Sequence, residues 1–420
     1  MLDQLADLTG ILPEYEADAG IFKTNEATKR ALLKAMGLPA DTEQQAEHSL
    51  TLMLNRPYER ALPAVFVVHC EDGEIRIPLS IAAHDSPVML HWSVKMENGH
   101  VYGGVASVDN MPVSQTREIN GRMMERREFS LPVPQEWGYH CVAVQADGLP
   151  ENGREMTLVV APQKCYMPDF ITDQYRPWGF PLQLYSLRSE KNWGIGDFSD
   201  LKQTVYMSAE FGAGIVGINP INTLFATKPE TASPYYSSSR LFLNPLYIDV
   251  DAVPEAAQCD ALKKYKASKD FKEKLKQARD SDLVDYTLVS EIKNKALELL
   301  YADFIKNNVE VEHPTERGRA LMEFCQAGGK DLKNMAIYQA LAEYFAAKGV
   351  LGGFRSWGDD YSHPDNKAVS AFAEKNADRV GYFMYQQWIA DEQFKSAAKA
   401  CDEAGLSIGL YQDLAVGVAC

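Results

Sequence analysis

Residues 178–221 constrain the fold more than any other stretch of the chain. WGFPLQLYSL (178–187) reads as a buried strand. Asp197 or Ser199 is placed to cap a helix running through Leu201, Val205 and Ala209 to Gly212. GIVGINPI (214–221) follows as a second apolar strand. Strand, helix, strand at this spacing is a βαβ unit, and strands joined by such a crossover lie parallel. SIGLYQDLAVGV (407–418) reads as a third buried strand. Between the second and third strands the sequence is mostly helical and charged. SEIKNKALELLYADFI sets Ile292, Ala296, Leu300 and Phe304 on one stripe, with Ser290 as the expected cap. KNMAIYQALAEYFAAKG forms another helix, stopped by Gly349. FMYQQWIADEQF (383–394) lies in a third, with Phe383, Gln387 and Ala390 on one face.

Upstream the pattern differs. From 60 to 160 the runs ALPAVFVVHC, EIRIPLSIAA, VMLHWSVKM, REFSLPV, YHCVAVQ and REMTLVVAP are short and β-rich. Turn residues such as Asn98-Gly99, Asn120-Gly121 and Asn152-Gly153 separate them. Regular turns between short strands predict an antiparallel sandwich. Trp92 and Tyr102 could present faces to a glycan there, but packing in the core or at strand edges accounts for them better. Residues 1–55 read as helical: Thr24 or Asn25 caps a stripe of Ala31, Leu32, Ala35 and Met36 that ends at Gly37. APQKCYMPDFITDQYRP (161–177) carries three prolines and marks a boundary. The expected organisation is a helical segment over 1–58, an all-β sandwich over 59–160 and an α/β part over 161–420 with a helical insertion at about 255–400.

Composition excludes several functions. With 46% hydrophobic and 24% charged residues, the 420-residue chain is not globally disordered. A net charge of −16 argues against nucleic acid and anionic membrane surfaces as partners, since both require a basic field. A neutral sugar meets no such objection. The most apolar runs, 62–70 and 214–225, fall short of the roughly 20 residues a membrane span needs. MLDQLADLTG lacks the features of a signal peptide. Seven scattered cysteines without a C-x-x-C pair fit reduced thiols in a cytoplasm. Six of the eight histidines precede residue 150, and His313 and His363 each stand before a proline. A Ser-His-Asp site or a His-rich metal site in the second half is therefore not expected.

In parallel βα architectures, function gathers at the carboxyl ends of the strands. The three loops there hold Tyr185, Arg188, Trp193, Asn219, Phe225, Tyr235, Tyr236, Arg240 and Asp413. Aromatic faces beside amide, hydroxyl and charged groups suit sugar rings, which offer apolar C–H faces and hydroxyl edges. No Walker A pattern is present to cradle phosphate. Gly194-Ile195-Gly196 is not G-x-G-x-x-G, because Ser199 stands where the third glycine belongs; a tight loop leading into the Asp197 cap explains it.

LYSLRSEKNWGIGDFSDL (184–201), GINPINTLF (217–225), SPYYSSSRLFLNPLYIDV (233–250) and IGLYQDLAVGV (408–418) resemble the bacterial 4-alpha-glucanotransferases, or amylomaltases, of glycoside hydrolase family 77. The likeness is greatest to the longer, enterobacterial-type maltodextrin enzymes, which carry modules ahead of the barrel. It implies the first part of a (β/α)8 barrel. It also implies retaining transfer of an α-1,4-glucan segment to the 4-hydroxyl of a glucose or maltooligosaccharide acceptor, without metal or organic cofactor. By motif, Tyr235 of SPY matches an active-site tyrosine beside the bound sugar, and Asp413 matches a substrate-contacting aspartate. Ser233, Trp193 and Asn219 lie in matching loops and complete the expected substrate-binding set.

The family's nucleophilic aspartate, acid/base glutamate and third aspartate follow the strand at which this sequence stops. The catalytic carboxylates are thus expected beyond residue 420, and the chain alone is expected to be inactive. Retaining chemistry needs two carboxylates about 5–5.5 Å apart. Asp197 and Asp413 are the nearest candidates, and Asp197 is better read as a helix cap. The competing expectations are a non-catalytic glucan-binding or regulatory protein, and an amylase-like hydrolase that differs only in its acceptor.

Overall fold

The computed structural model describes residues 1–172 and 174–417. It divides into two compact units, Met1–Pro168 and Asp169–Cys420.

The first unit begins with α1 (Leu2–Leu8), a hairpin of β1 (Glu14–Ala17) and β2 (Gly20–Lys23), then α2 (Glu26–Ala35) and α3 (Glu43–Asn55). Asn25 caps α2 by accepting the Thr28 N–H at 2.8 Å, and Thr42 with Gln45 forms a capping box on α3. Leu2, Leu5, Leu33 and Ala46 are buried together. The hairpin corrects the purely helical reading of this stretch. All eight of its residues are exposed, so no apolar alternation announces it.

Eight strands follow: β3 (Val65–His69), β4 (Glu74–Ala82), β5 (Met89–Lys95), β6 (Val101–Ser107), β7 (Val113–Ile119), β8 (Arg122–Pro132), β9 (Gly138–Gln145) and β10 (Glu155–Ala161). They form one sheet ordered β3-β10-β9-β5-β6 and a second ordered β4-β8-β7. Ile75, Ile77, Leu79 and Ile81 alternate inward from β4 and share a core with Leu90, Val94, Val142 and Leu158. Asn120 and Gly121 both take positive φ, 51° and 76°, as the two-residue turn between β7 and β8 requires. The sandwich is antiparallel except where β10 pairs parallel with β3. Trp92 packs with Phe129 at 6.1 Å and with Tyr102 at 6.2 Å between ring centroids, which makes these aromatics packing elements.

The second unit runs β11 (Gly179–Leu182), α4 (Phe198–Glu210), β12 (Ile215–Ile218), α5 (Asp260–Ala267), α6 (Lys269–Asp280), α7 (Tyr286–Phe304), α8 (Glu316–Ala346, bent at Gly329), α9 (Lys367–Lys375), α10 (Ala377–Ala404) and β13 (Gly409–Gln412). The strands form a parallel sheet ordered β11-β12-β13. An α/β unit preceded by a sandwich is the fold class the sequence predicts.

Three local readings change. The strand expected over 178–187 is only four residues long, and its middle residues Phe180 and Pro181 are exposed. It ends because the Leu184 N–H leaves the ladder to donate to Asn219 Oδ1 at 2.7 Å, and 184–186 turn into a 3-10 helix. Asp285, not Ser290, caps α7, accepting the Leu288 N–H at 2.9 Å; Ser290 lies one turn inside. The third strand is likewise shorter than expected, and Val418 lies outside the described residues, as does Cys420.

Candidate functional site

Three segments meet at the carboxyl ends of β11, β12 and β13. The first, 183–197, is fixed by its own side chains and by α6. Arg188 donates to Gly194 O at 2.8 Å, and Arg279 of α6 donates to Asn192 O at 2.8 Å. Gly194 has φ +87° and sits against Ala278, and a Cβ on Gly196 would overlap Leu184 O. The two glycines therefore serve close backbone approach, and Asp197 caps α4 through the Ser199 and Asp200 N–H groups at 3.0 Å each.

The second segment, 219–244, leaves β12 and returns beside itself. Asn222 and Leu243 form an isolated antiparallel bridge at its neck. Thr223 N–H donates to Phe242 O at 2.8 Å, and Asn244 N–H to Ile221 O at 2.9 Å. At its tip Tyr235 is 52% exposed. The Tyr235 hydroxyl donates to Asp413 Oδ2 at 2.7 Å, one residue beyond β13. Arg240 donates to Ala415 O and Val416 O, both at 3.2 Å. The Asp413 contact pushes the Tyr235 phenol above its ordinary value of 10.0, with smaller contributions from Tyr185 and Tyr411 nearby. Side chains thus join the loops after β12 and β13 and present a tyrosine and a carboxylate together.

The predicted residues separate into two groups. Tyr235, Ser233 and Asp413 lie at the surface of this mouth. Trp193 and Asn219 do not. Trp193 is 2% exposed, its ring packs on Phe271 at 4.8 Å, and its Nε1 donates to Asp251 Oδ2 at 3.0 Å. Asn219 is 3% exposed and uses its amide on Leu184 N–H and Pro220 O. Both are buried and hold the loops from beneath.

Elsewhere on the 219–244 loop, Tyr236 packs at a tilt against Phe225, with ring centroids 6.0 Å apart, and lines a groove of about 710 Å³. Tyr338 and Asn334 of α8 and Phe354 are among the other residues that line it. This volume is within the range of small-ligand sites.

Sequence reasoning missed the supports behind these loops. Lys293 of α7 is buried, and its Nζ donates to Leu246 O at 2.7 Å and Ile248 O at 2.8 Å. Burial draws its pKa down, opposed by the charges of Asp197 and Asp249. Gln387 and Gln393 of α10 each hold one backbone residue through two hydrogen bonds, Leu243 and Asp249 respectively. The signal was present: lysine and glutamine at positions that the apolar stripe turns inward. Among the described residues no helix is long and apolar enough to cross a membrane.

Comparison with known proteins bears on this arrangement. A family profile described as 4-alpha-glucanotransferase matches residues 182–420, and one described as the MalQ N-terminal beta sandwich domain matches 61–162. A 4-alpha-glucanotransferase of Mycobacterium tuberculosis is 33% identical over 426 residues, covering 99% of this chain and 55% of the relative. One from Haemophilus influenzae is 33% identical over 310 residues, covering 72% and 43%. The crystal structure of amylomaltase from Corynebacterium glutamicum superposes with a TM-score of 0.77 at 28% identity, covering 99% of this chain and 55% of that one. The chain therefore spans about half the length of the curated relatives it matches. With more than half of its residues inside the first profile, the chain belongs to the 4-alpha-glucanotransferase family, glycoside hydrolase family 77.

Proposed function

We propose that this chain supplies the glucan-facing mouth for transfer of α-1,4-glucan segments between maltooligosaccharides by retaining double displacement. Tyr235, Asp413 and Ser233 are the assigned sugar contacts, while Trp193 and Asn219 act beneath the loops that carry them. The observation that supports this reading best is the 2.7 Å hydrogen bond from Tyr235 to Asp413. It gives one exposed ring a fixed orientation for stacking on a sugar, and it leaves the remaining carboxylate lone pairs to accept hydroxyl protons. Retaining transfer also needs a nucleophile and an acid/base about 5–5.5 Å apart, and we assign neither role to a residue of this chain. The helical segment over 1–58 and the sandwich over 59–160 stand apart from the chemistry in this proposal. The six described cysteines, all unpaired, support a reducing cytoplasm as the working compartment.

The test is calorimetric titration of the 420-residue chain with maltotriose and maltoheptaose, with glucose release followed in parallel. Saturable binding without disproportionation is expected. Tyr235→Ala should weaken binding by about tenfold, the equivalent of roughly 1.4 kcal/mol. Unchanged affinity in a folded variant overturns the assignment of Tyr235, and sustained disproportionation shows that residues of this chain serve as nucleophile and acid/base.

A further inference from the structure

The loop that carries Tyr235 has a two-residue ladder at its neck and no longer sheet to hold it. On one side Leu243 bridges Asn222. Among the described residues no strand lies on its other side; Gln387 occupies that place. The Leu243 N–H donates to Gln387 Oε1 at 2.9 Å, and Gln387 Nε2 donates to Leu243 O at 2.8 Å. A carboxamide has one acceptor and one donor side by side, as a backbone amide pair of a neighbouring strand would present. Gln387 is 5% exposed and sits on α10, a 28-residue helix packed against α4 and α8. Its position is therefore set by the core. Three residues before Leu243, Arg240 reaches the backbone of Ala415 and Val416, and eight before it stands Tyr235.

We propose that Gln387 is a positioning residue for Tyr235: acting as a surrogate strand edge, its carboxamide fixes Leu243 and so sets where the Tyr235 hydroxyl meets Asp413. Gln393, six residues further along α10, makes the same pair of bonds to Asp249, at 2.8 Å each. That contact lies outside the loop neck, which makes Gln393 an internal control of identical chemistry. The significance for glucan rests on the function proposed above; the geometry does not.

The experiment uses the 420-residue chain labelled with 3-fluorotyrosine. The Tyr235 fluorine resonance is assigned by its disappearance in Tyr235→Phe. Gln387→Met keeps length and bulk but removes both hydrogen-bonding groups. It should displace the Tyr235 resonance and lower the pH at which that phenol titrates, as the Asp413 contact is lost. Gln393→Met should do neither. Maltotriose affinity should fall about tenfold in Gln387→Met and stay within twofold in Gln393→Met. Should Gln387→Met fail to fold, Gln387→Asn, shorter by one methylene, tests the same bonds more gently and should give the same displacement. A Tyr235 resonance and titration unmoved by the Gln387 variant, or moved equally by both glutamine variants, overturns the inference. If the parent chain binds no maltotriose, the sugar reading fails, and the resonance and titration still decide the role of Gln387.

Discussion

The two units hold their chains in place in different ways. In the sandwich, β4 and β8 are nine and eleven residues long and pair over nine consecutive positions. Backbone bonds and alternating side chains there enforce the same register. In the second unit β11, β12 and β13 have four residues each, and the loops that leave β11 and β12 are far longer than the strands. Position in this region is carried by single side chains that reach backbone atoms: Asn219 to Leu184, Gln387 to Leu243, Lys293 to Leu246 and Ile248. The difference shows that a mouth made of loops can be ordered without a ladder when the helices behind it present buried polar groups. The weakness of that solution is that each support has no neighbour to share its load.

Removing Lys293 tests that weakness most severely. Lys293→Met leaves two buried carbonyl oxygens without their donor and strips Asp197 and Asp249 of a nearby cation. Losses of this kind cost about 3–5 kcal/mol. Denaturant unfolding of the second unit should show a drop of that size, and backbone amides around 243–250 should exchange fastest. A loss below about 1 kcal/mol would mean that the short sheet orders this region after all.

The sandwich should respond in the opposite style. Leu79→Ala empties a fully buried site on β4, and such changes cost about 2–5 kcal/mol. Because β4 and β8 share one long ladder, hydrogen exchange should accelerate along both strands together rather than at one point. Exchange confined to the residues flanking position 79 would break the contrast between the two units.

How much of this was legible depended on how local each signal was. Asn120-Gly121 announces its turn because positive φ at two adjacent positions is a local demand. Asp197 announces its helix because a cap is satisfied within three residues. The hairpin at 14–23 escaped because a strand with both faces in water carries no apolar alternation. Tyr235 and Asp413 were found through motif resemblance, and only coordinates bring them together across 178 positions. Trp193 was misplaced because an aromatic residue in a strand-end loop looks the same whether its ring turns outward or onto Phe271. Gln387 stood on the correct helical face, yet nothing in the spacing of that helix says that its partner is Leu243, 144 residues earlier.

The smallest expected effect concerns protons. Burial pushes Asp197 up to about 7 from an ordinary 3.8, with Lys293 opposing and Asp200 and Asp249 reinforcing. The folded state therefore keeps a proton on Asp197 through a range in which the unfolded chain has released it. Stability from this group is fully present below about pH 4 and is lost as pH rises through 7, the reverse of a salt-bridged carboxylate. Over pH 5–8 the loss expected from this group is on the order of 2 kcal/mol. Between pH 5 and 8 the second unit should lose stability as pH rises. Asp197→Asn keeps an acceptor for the Ser199 and Asp200 N–H groups while removing the titration, so its stability should be flat over that range. The sandwich, observed through the exchange of β4 and β8, should be indifferent to the substitution. A wild-type profile that rises over this range would show that the fold prefers the ionised form of Asp197, with the Lys293 charge nearby.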